Sequence, residues 1–231
     1  MKSLESVQSL VKPLFTGSYW QTVSEYLGIG RKHKKQRVTD RDSLAEFLDT
    51  RASHVAQSSL YGYLRTRAGT RFPEMFENPD LLQSINIAKW HIWLACVSDL
   101  CLFSGQHLYQ SGKLDESAIR QLLPEALRQI FDNTGEPEEA GPDFAGGREK
   151  VVQRVGTCDW TLKRDDDAIF SQSAEALFYW SPIADELKER DELIVKNSIR
   201  FRWIEVRRGA RALLDCDALA QHQSATETPS A

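Results

Sequence analysis

A long apolar segment at residues 80–103 constrains the fold of this 231-residue chain more than any other feature. Asn78 and Pro79 precede it in the pattern of a helix N-cap followed by a first-turn proline, and Ser104-Gly105 offers a C-terminal stop. Apolar side chains surround the predicted helix on nearly every side, and several charges within it disfavour a membrane span. We therefore expect a central helix that other helices bury. Six of its residues are predicted to lie in the core: Ile85, Ile92, Trp93, Cys96, Val97 and Leu100.

The remaining chain shows helical periodicity and no alternation long enough to build a sheet. Further helices are predicted at about 44–67, 115–131 and 181–214, and a capping box at Ser43 and Glu46 marks the start of the first. The last helix begins at the Ser181-Pro182 signal and has charged i,i+4 pairs, such as Glu192 with Lys196, on its outside. Its apolar residues form one stripe: Val195, Ile199, Trp203, Val206, Ala210 and Leu213. The predicted class is all-α: an irregular helical bundle around a buried central helix, with a long C-terminal helix and a partly disordered N-terminal appendage.

Composition divides the chain into three parts. Residues 1–38 form an amphipathic and basic appendage, and residues 39–218 form the helical domain. Within that domain, residues 132–147 combine glycines, prolines and acids, a composition that predicts an exposed acidic loop because it cannot bury enough apolar surface to order itself. Residues 219–231 are polar and are expected to form a disordered tail.

The appendage carries the strongest local charge of the chain. Lys and Arg number 29 against 33 Asp and Glu, a net charge of -4, which disfavours general polyanion binding. Aromatic and basic side chains close together suit an anionic membrane surface. The candidate contacts with a membrane or polyanion are Trp20, Arg31, Lys32, Lys34, Lys35 and Arg37. A nucleic-acid-associated protein that uses residues 31–37 is one alternative.

Two groups of arginines offer a surface for a partner protein. One group lies at the end of the first predicted helix, mixed with tyrosines as at interaction hot spots, and the other forms a stripe on the C-terminal helix. The candidate partner-binding residues are Arg65, Arg67, Arg71, Arg200, Arg207 and Arg211. Ion pairs within the chain are the alternative for both groups.

Catalytic signals are few. His54 and Ser58 are four residues apart on one helical face, with Asp49 or Asp99 to orient the imidazole, so a Ser/His hydrolase of the esterase kind is an alternative function. The chain lacks the GxSxG elbow, HExxH spacing and Walker pattern that would support an enzyme. Cys96 and Cys101 are spaced too far around a helix to share a ligand face. No metal site and no cofactor are predicted.

Two segments resemble a known family. SSLYGYLRTRAGTRFPEMF and INIAKWHIWLACVSDL look like the helix, the aromatic-basic loop and the Trp/His-containing helix of the ubiquinol-cytochrome c chaperone family. The resemblance implies a helical assembly factor of a respiratory complex. It covers a small part of the chain, and the later sequence does not follow that family's pattern.

These observations favour a protein that works by binding. The leading interpretation is a non-catalytic helical adaptor or assembly factor with a protein partner, peripheral to a membrane surface through its appendage. Its four cysteines have no close-spaced pairs, which favours a reducing compartment, and no secretion signal is visible. We therefore expect a cytoplasmic protein, with membrane association through the appendage.

Overall fold

The computed structural model describes residues 37–227, with side chains through residue 225. This part of the chain is all-α, as predicted, and its one β-type contact is an isolated bridge. Its helices are α1 Arg41–Ala68, α2 Pro79–Gln110, α3 Glu116–Thr134, α4 Phe144–Gly156, α5 Asp166–Ile169, α6 Ser171–Trp180, α7 Asp185–Leu213 and α8 Cys216–Glu227. Short 3-10 turns occupy Gly69–Arg71, Pro73–Phe76 and Glu138–Ala140.

Helix α2 is the centre of the bundle, which confirms the sequence prediction. It packs against every other α-helix from α1 to α7. The six core residues expected on it are all buried: Ile85, Ile92, Trp93, Cys96, Val97 and Leu100. The helix is long and apolar enough to cross a membrane by length and composition, but 78% of its most apolar window is buried within the protein.

The start of α1 lies one turn earlier than predicted. Asp40 is the N-cap and accepts a hydrogen bond from the backbone N–H of Ser43, while the Ser43 hydroxyl accepts one from the backbone of Asp40. The capping box is therefore Asp40 with Ser43, and the predicted box of Ser43 with Glu46 is wrong. An acidic side chain suits this position because it faces the positive end of the helix dipole.

The end of α2 was also predicted wrongly. Asn78 caps its start as expected, with the side chain accepting from the backbone N–H groups of Asp80 and Leu81. Ser104-Gly105 does not stop the helix, which continues to Gln110. A Cβ on Gly105 would lie 2.5 Å from the Trp160 ring, so the glycine is there to admit a neighbouring side chain.

Residues 132–147 form less of a loop than the composition predicts. Helix α3 extends to Thr134 and α4 begins at Phe144. Ala140 and Phe144 are fully or almost fully buried, so two apolar side chains fix the segment in spite of its acids. The acids of the segment are exposed, as predicted, but the loop is shorter than predicted and is anchored by its two buried side chains.

Helix α7 is the expected long C-terminal helix. Five residues of the expected stripe are buried, namely Val195, Ile199, Trp203, Val206 and Ala210, whereas the sixth, Leu213, is only half-buried. Its start differs from the Ser181-Pro182 signal: the helix begins at Asp185, and the Ser181 hydroxyl instead donates to the carbonyl of Leu177 at the end of α6. Gly209 lies within the continuous helix.

The predicted tail is helical where it is described. Residues Cys216–Glu227 form α8, with Leu219 and Gln223 buried, which corrects the expectation of disorder from residue 219. The start of the described chain is bonded to the end of α7. The backbone N–H of Val38 donates to the carbonyl of Leu213, and the N–H of Asp215 donates to the carbonyl of Val38.

Candidate interaction surface

The side of α7 that faces away from the bundle carries large apolar side chains in contact with solvent. Phe201 is 70% exposed, Ile194 and Leu193 are each 71% exposed, and Ile204 and Leu187 are exposed by 43% and 41%. We call these five residues the outer face of α7. They account for five of the eight large apolar side chains that are exposed in the described part of the chain.

The outer face has the periodicity of a helix-packing seam. Leu187, Ile194 and Phe201 are seven residues apart and therefore lie one above another on the helix, with a small drift of about 20° per step. Leu193 and Ile204 both lie to one side of this row. The buried stripe of α7 lies about half a turn away on the opposite side. Helix α7 thus has two apolar sides, and the protein itself covers only one within the described chain.

The buried side of α7 is fixed by a tryptophan. Trp203 is completely buried, stacks on Phe170 with ring centroids 4.5 Å apart, and donates its indole N–H to the Ser173 hydroxyl at 3.0 Å. A buried indole keeps its hydrogen-bond partner because leaving the N–H unpaired would cost free energy. The contact sets the rotation of α7 and therefore the direction of its outer face.

Ion pairs hold α7 in place on both sides of Trp203 along the helix. In its N-terminal half, Asp191 pairs with Arg67 and accepts a hydrogen bond from the Tyr63 hydroxyl at 3.0 Å. Desolvation and the Asp191 carboxylate raise the pKa of Tyr63 to about 12, so the phenol stays a donor at neutral pH. In the C-terminal half, Asp166 pairs with Arg207 at 2.6 Å and with Arg211 at 3.2 Å.

A buried polar network connects α7 to the central helix. Asp99 of α2 is fully buried and pairs with Arg154 of α4 at 2.6 Å. Its other carboxylate oxygen accepts from the backbone N–H of Ser173 at 2.7 Å, and Ser173 in turn accepts from Trp203. Helix α6 has no side-chain cap of its own, so Asp99 serves as that cap from a neighbouring helix.

The electrostatics of Asp99 fit a structural role. Burial raises its pKa to about 6, although Arg154 and the Ser173 N–H act in the opposite direction. The carboxylate therefore remains ionised at neutral pH. The Arg154 guanidinium also donates to the Ser98 hydroxyl at 2.9 Å and to the Ile169 carbonyl at 3.3 Å. The network thus joins α2, α4, α6 and α7 in the core.

The six predicted partner-binding arginines have different environments. Arg67, Arg207 and Arg211 make the ion pairs described above, which is the alternative that the sequence left open. Arg200 donates to Asn197 within α7, and Arg65 and Arg71 are exposed. Asp191 and Arg207 are sixteen positions apart on one helix, about 24 Å, so the paired members of the two groups do not converge on one patch.

The Ser/His pair is not joined by a hydrogen bond among the contacts of the described residues. Ser58 is buried and its hydroxyl donates to the carbonyl of Val55 at 3.4 Å, whereas His54 is exposed. Desolvation against the protein surface, and then the charges of Arg202 and Arg51, lower the pKa of His54. The neighbours of this imidazole are therefore mainly cationic.

Both carboxylates considered for orienting His54 have other partners. Asp49 accepts from the Trp93 indole at 3.0 Å and from the Ser53 hydroxyl at 3.2 Å. Asp99 belongs to the buried network with Arg154. The candidate hydrolase residues are thus placed in the structure without the arrangement of a triad.

The candidate membrane or polyanion contacts lie mostly outside the described residues. Trp20, Arg31, Lys32, Lys34 and Lys35 precede residue 37, and so does almost the whole predicted appendage. Arg37 is described: its side chain is 72% exposed and pairs with Asp215 at 2.9 Å.

Two surface depressions of the described chain are lined by residues other than those of the outer face of α7. A depression of about 500 Å³ lies between the start of α1 and the end of α3, lined by Asp40, Asp42, Glu46 and Asp49 among others. A smaller one of about 290 Å³ lies between the start of α3 and α8. Across the part of the chain with described side chains, no group of three or more His, Cys, Asp or Glu could hold a metal ion.

Sequence reasoning missed the outer face of α7. The sequence analysis predicted only the buried stripe and the charged pairs of this helix, such as Glu192 with Lys196, which does form at 2.7 Å. The signal was nevertheless present, because Leu187, Ile194 and Phe201 repeat every seven residues outside that stripe. A second apolar row on a helix that already has a buried row indicates a second packing partner.

Comparison of the chain with protein-family models, curated proteins and solved structures finds no significant match. The resemblance of two segments to the ubiquinol-cytochrome c chaperone family therefore has no support from a family match.

Proposed function

We propose that this protein is a non-catalytic interaction protein of the adaptor or assembly-factor kind, which binds another polypeptide through the outer face of α7. The observation that carries the proposal is the exposure of five large apolar side chains on a helix whose other side is already packed. Large apolar side chains exposed together on one side of a helix are typical of a binding site.

The chemistry of the outer face suits a helical or grooved protein surface. Anchors at seven-residue intervals, here Leu187, Ile194 and Phe201, are the spacing by which one helix packs against another. Full burial of such a side chain stabilises a complex by about 1.5–3 kcal/mol relative to exposure. Phe201 lies in the C-terminal part of the outer face, and we expect it to be the hot spot of the interface.

The rigidity of α7 favours binding without rearrangement. Trp203 and the ion pairs of Asp191 and Asp166 hold the helix on its inner side, so the outer face is presented in a fixed direction. A preformed surface loses less conformational entropy on binding than one that must be ordered.

Site-specific photo-cross-linking tests the proposal. A benzophenone amino acid replaces Phe201 in the full chain inside cells, and the matched control carries it at Leu162, which is also exposed but lies outside α7. We expect a protein adduct from position 201 that disappears when Ile194→Glu is added, and none of comparable yield from position 162. Adducts of equal yield from both positions, adducts to phospholipid alone, or no adduct from position 201 would contradict the proposal.

A further inference from the structure

The exposed charges of α7 are divided between its two halves. Acidic side chains dominate the N-terminal half and arginines the C-terminal half. The exposed acids before the middle are Asp185, Glu186, Glu189 and Glu192, and the exposed arginines after it are Arg202, Arg208 and Arg211. Three of them, Asp185, Glu192 and Arg211, also form ion pairs within the chain. Each half has one exposed exception, Arg190 in the first and Glu205 in the second.

This arrangement is complementary to itself when the helix direction is reversed. In an antiparallel pair of α7 helices, the acidic half of one lies along the basic half of the other, whereas a parallel pair would place acids beside acids. A two-fold axis between Ile194 and Phe201 brings Ile194 of one copy against Phe201 of the other. The same axis sets Arg190 opposite Glu205, so the two exceptions also pair with each other.

We infer that a second copy of this chain covers the outer face of α7, through an antiparallel pairing of the two α7 helices centred between Ile194 and Phe201. This inference rests on the proposed function, for which it names the partner. An isologous interface buries the apolar row of both copies at once and pairs Arg190 of each copy with Glu205 of the other, which favours the antiparallel direction. An anionic lipid surface fits less well, because Glu186 and Glu205 lie beside the apolar row.

The first test is the mass of the full chain in solution, measured by sedimentation equilibrium over a wide range of protein concentrations. We expect a monomer–dimer equilibrium whose dissociation constant increases about 100-fold in Ile194→Glu or Phe201→Glu, since each substitution occurs on both sides of the interface. Leu162→Glu, which adds the same charge at another exposed apolar position, should leave it unchanged. A monomer at every concentration would overturn the inference.

The second test is a charge exchange that examines the register. Arg190→Glu and Glu205→Arg each place like charges opposite one another and should weaken the dimer, while the double variant should restore it. All of these positions are exposed, so folding should be unaffected and is checked by thermal unfolding. Additive weakening in the double variant would contradict the antiparallel register.

The third test is disulfide trapping in a Cys216→Ser background, because the other three cysteines are buried. Asn197→Cys lies beside the proposed axis and should cross-link two copies on mild oxidation. Leu187→Cys should not, because its two copies would be about 30 Å apart along the helix axis, far beyond disulfide reach. Cross-linking of Leu187→Cys in preference to Asn197→Cys would indicate a parallel pair and overturn the inference.

The outcomes separate this inference from the proposed function. A monomer whose position 201 forms an adduct with a different protein overturns the second copy as partner and leaves the proposed function in place. An adduct with residues 1–36 of the same chain, or with lipid, contradicts both. A dimer that is insensitive to Ile194→Glu and Phe201→Glu uses another surface and also overturns the inference.

Discussion

The Asp99 carboxylate and the Arg154 guanidinium lie 2.6 Å apart inside the bundle and form a pair between the central helix α2 and helix α4. Asp99 is fully buried, and its second oxygen caps α6 through the Ser173 N–H. Ser173 then receives the Trp203 indole of α7. The direction of the outer face of α7 therefore depends on a polar network whose centre is in the core.

Replacing Arg154 should destabilise the fold strongly. Arg154→Met leaves the buried Asp99 without its counter-charge, so the carboxyl must either stay a desolvated anion or take up a proton, and breaking a buried pair in this way costs about 3–5 kcal/mol. Urea unfolding at pH 7 measures the loss. Arg37→Met is the matched control, since Arg37 pairs with Asp215 at 2.9 Å but is 72% exposed, and its loss should cost under about 1 kcal/mol. Equal losses in the two variants would contradict a special role for the buried pair.

The cost of Arg154→Met should depend on pH. Burial raises the pKa of Asp99 to about 6, above its ordinary value of 3.8, so between these values the folded state binds a proton that the unfolded state does not. The contribution of Asp99 to stability therefore increases as pH falls through 6. Loss of Arg154 raises this pKa further, so the variant gains more on acidification than the parent protein. Urea titrations at pH 7 and pH 5 should show the difference shrinking, and a constant difference would refute this assignment.

His91 should contribute the opposite pH dependence. Its ring is buried and stacks on Trp180, with centroids 3.8 Å apart and planes at 8°. Burial lowers the pKa of His91, with Asp143 raising it and Lys150 lowering it by smaller amounts. The unfolded chain therefore takes up the proton first, and stability is lost as pH falls through about 6.5.

The variant His91→Phe keeps an aromatic ring against Trp180 and removes the titration. Thermal unfolding at pH 7.5 and pH 5.5 should show a smaller acid-induced loss in the variant than in the parent protein. An identical loss in both would show that His91 is not a source of acid sensitivity.

Two glycines in helices should respond to alanine in opposite directions. A Cβ at Gly105 would lie 2.5 Å from the Trp160 ring and 2.7 Å from Leu123, so Gly105→Ala should cost about 1–3 kcal/mol through overpacking. At Gly209 a Cβ meets nothing within 4 Å, so Gly209→Ala should stabilise the protein by about 0.5–1 kcal/mol by raising helix propensity. Chemical unfolding of both variants checks the sign. The same sign for both would contradict the packing assigned to Trp160.

Local signals predicted where much of the fold begins. Asn78 and Pro79 marked the start of α2, and the apolar pattern identified its buried residues, because cap chemistry and periodicity act within one or two turns. The end of α2 could not be predicted in this way. Gly105 looks like a stop signal in sequence, but the reason for the glycine is Trp160, a residue more than fifty positions away.

Tertiary contacts also order two segments that composition predicted to be disordered or looped. Ala140 and Phe144 anchor the acidic connection, and Leu219 anchors α8, although neither segment is apolar on average. The pairing of Asp99 with Arg154 could not be predicted from the sequence either, since nothing near Asp99 in sequence indicates Arg154. The outer face of α7 was accessible from spacing alone, once the buried stripe had been assigned to the other side.

The most direct measurement of the central claim separates binding from folding at one position. Phe201 is exposed, so Phe201→Glu should leave the free energy of unfolding of the dilute chain within about 0.5 kcal/mol of the parent value. With a benzophenone amino acid at Ile194, the same substitution should abolish the polypeptide adduct formed by the parent sequence. An adduct that survives Phe201→Glu, or a chain that unfolds because of it, would contradict the assignment of this face to binding.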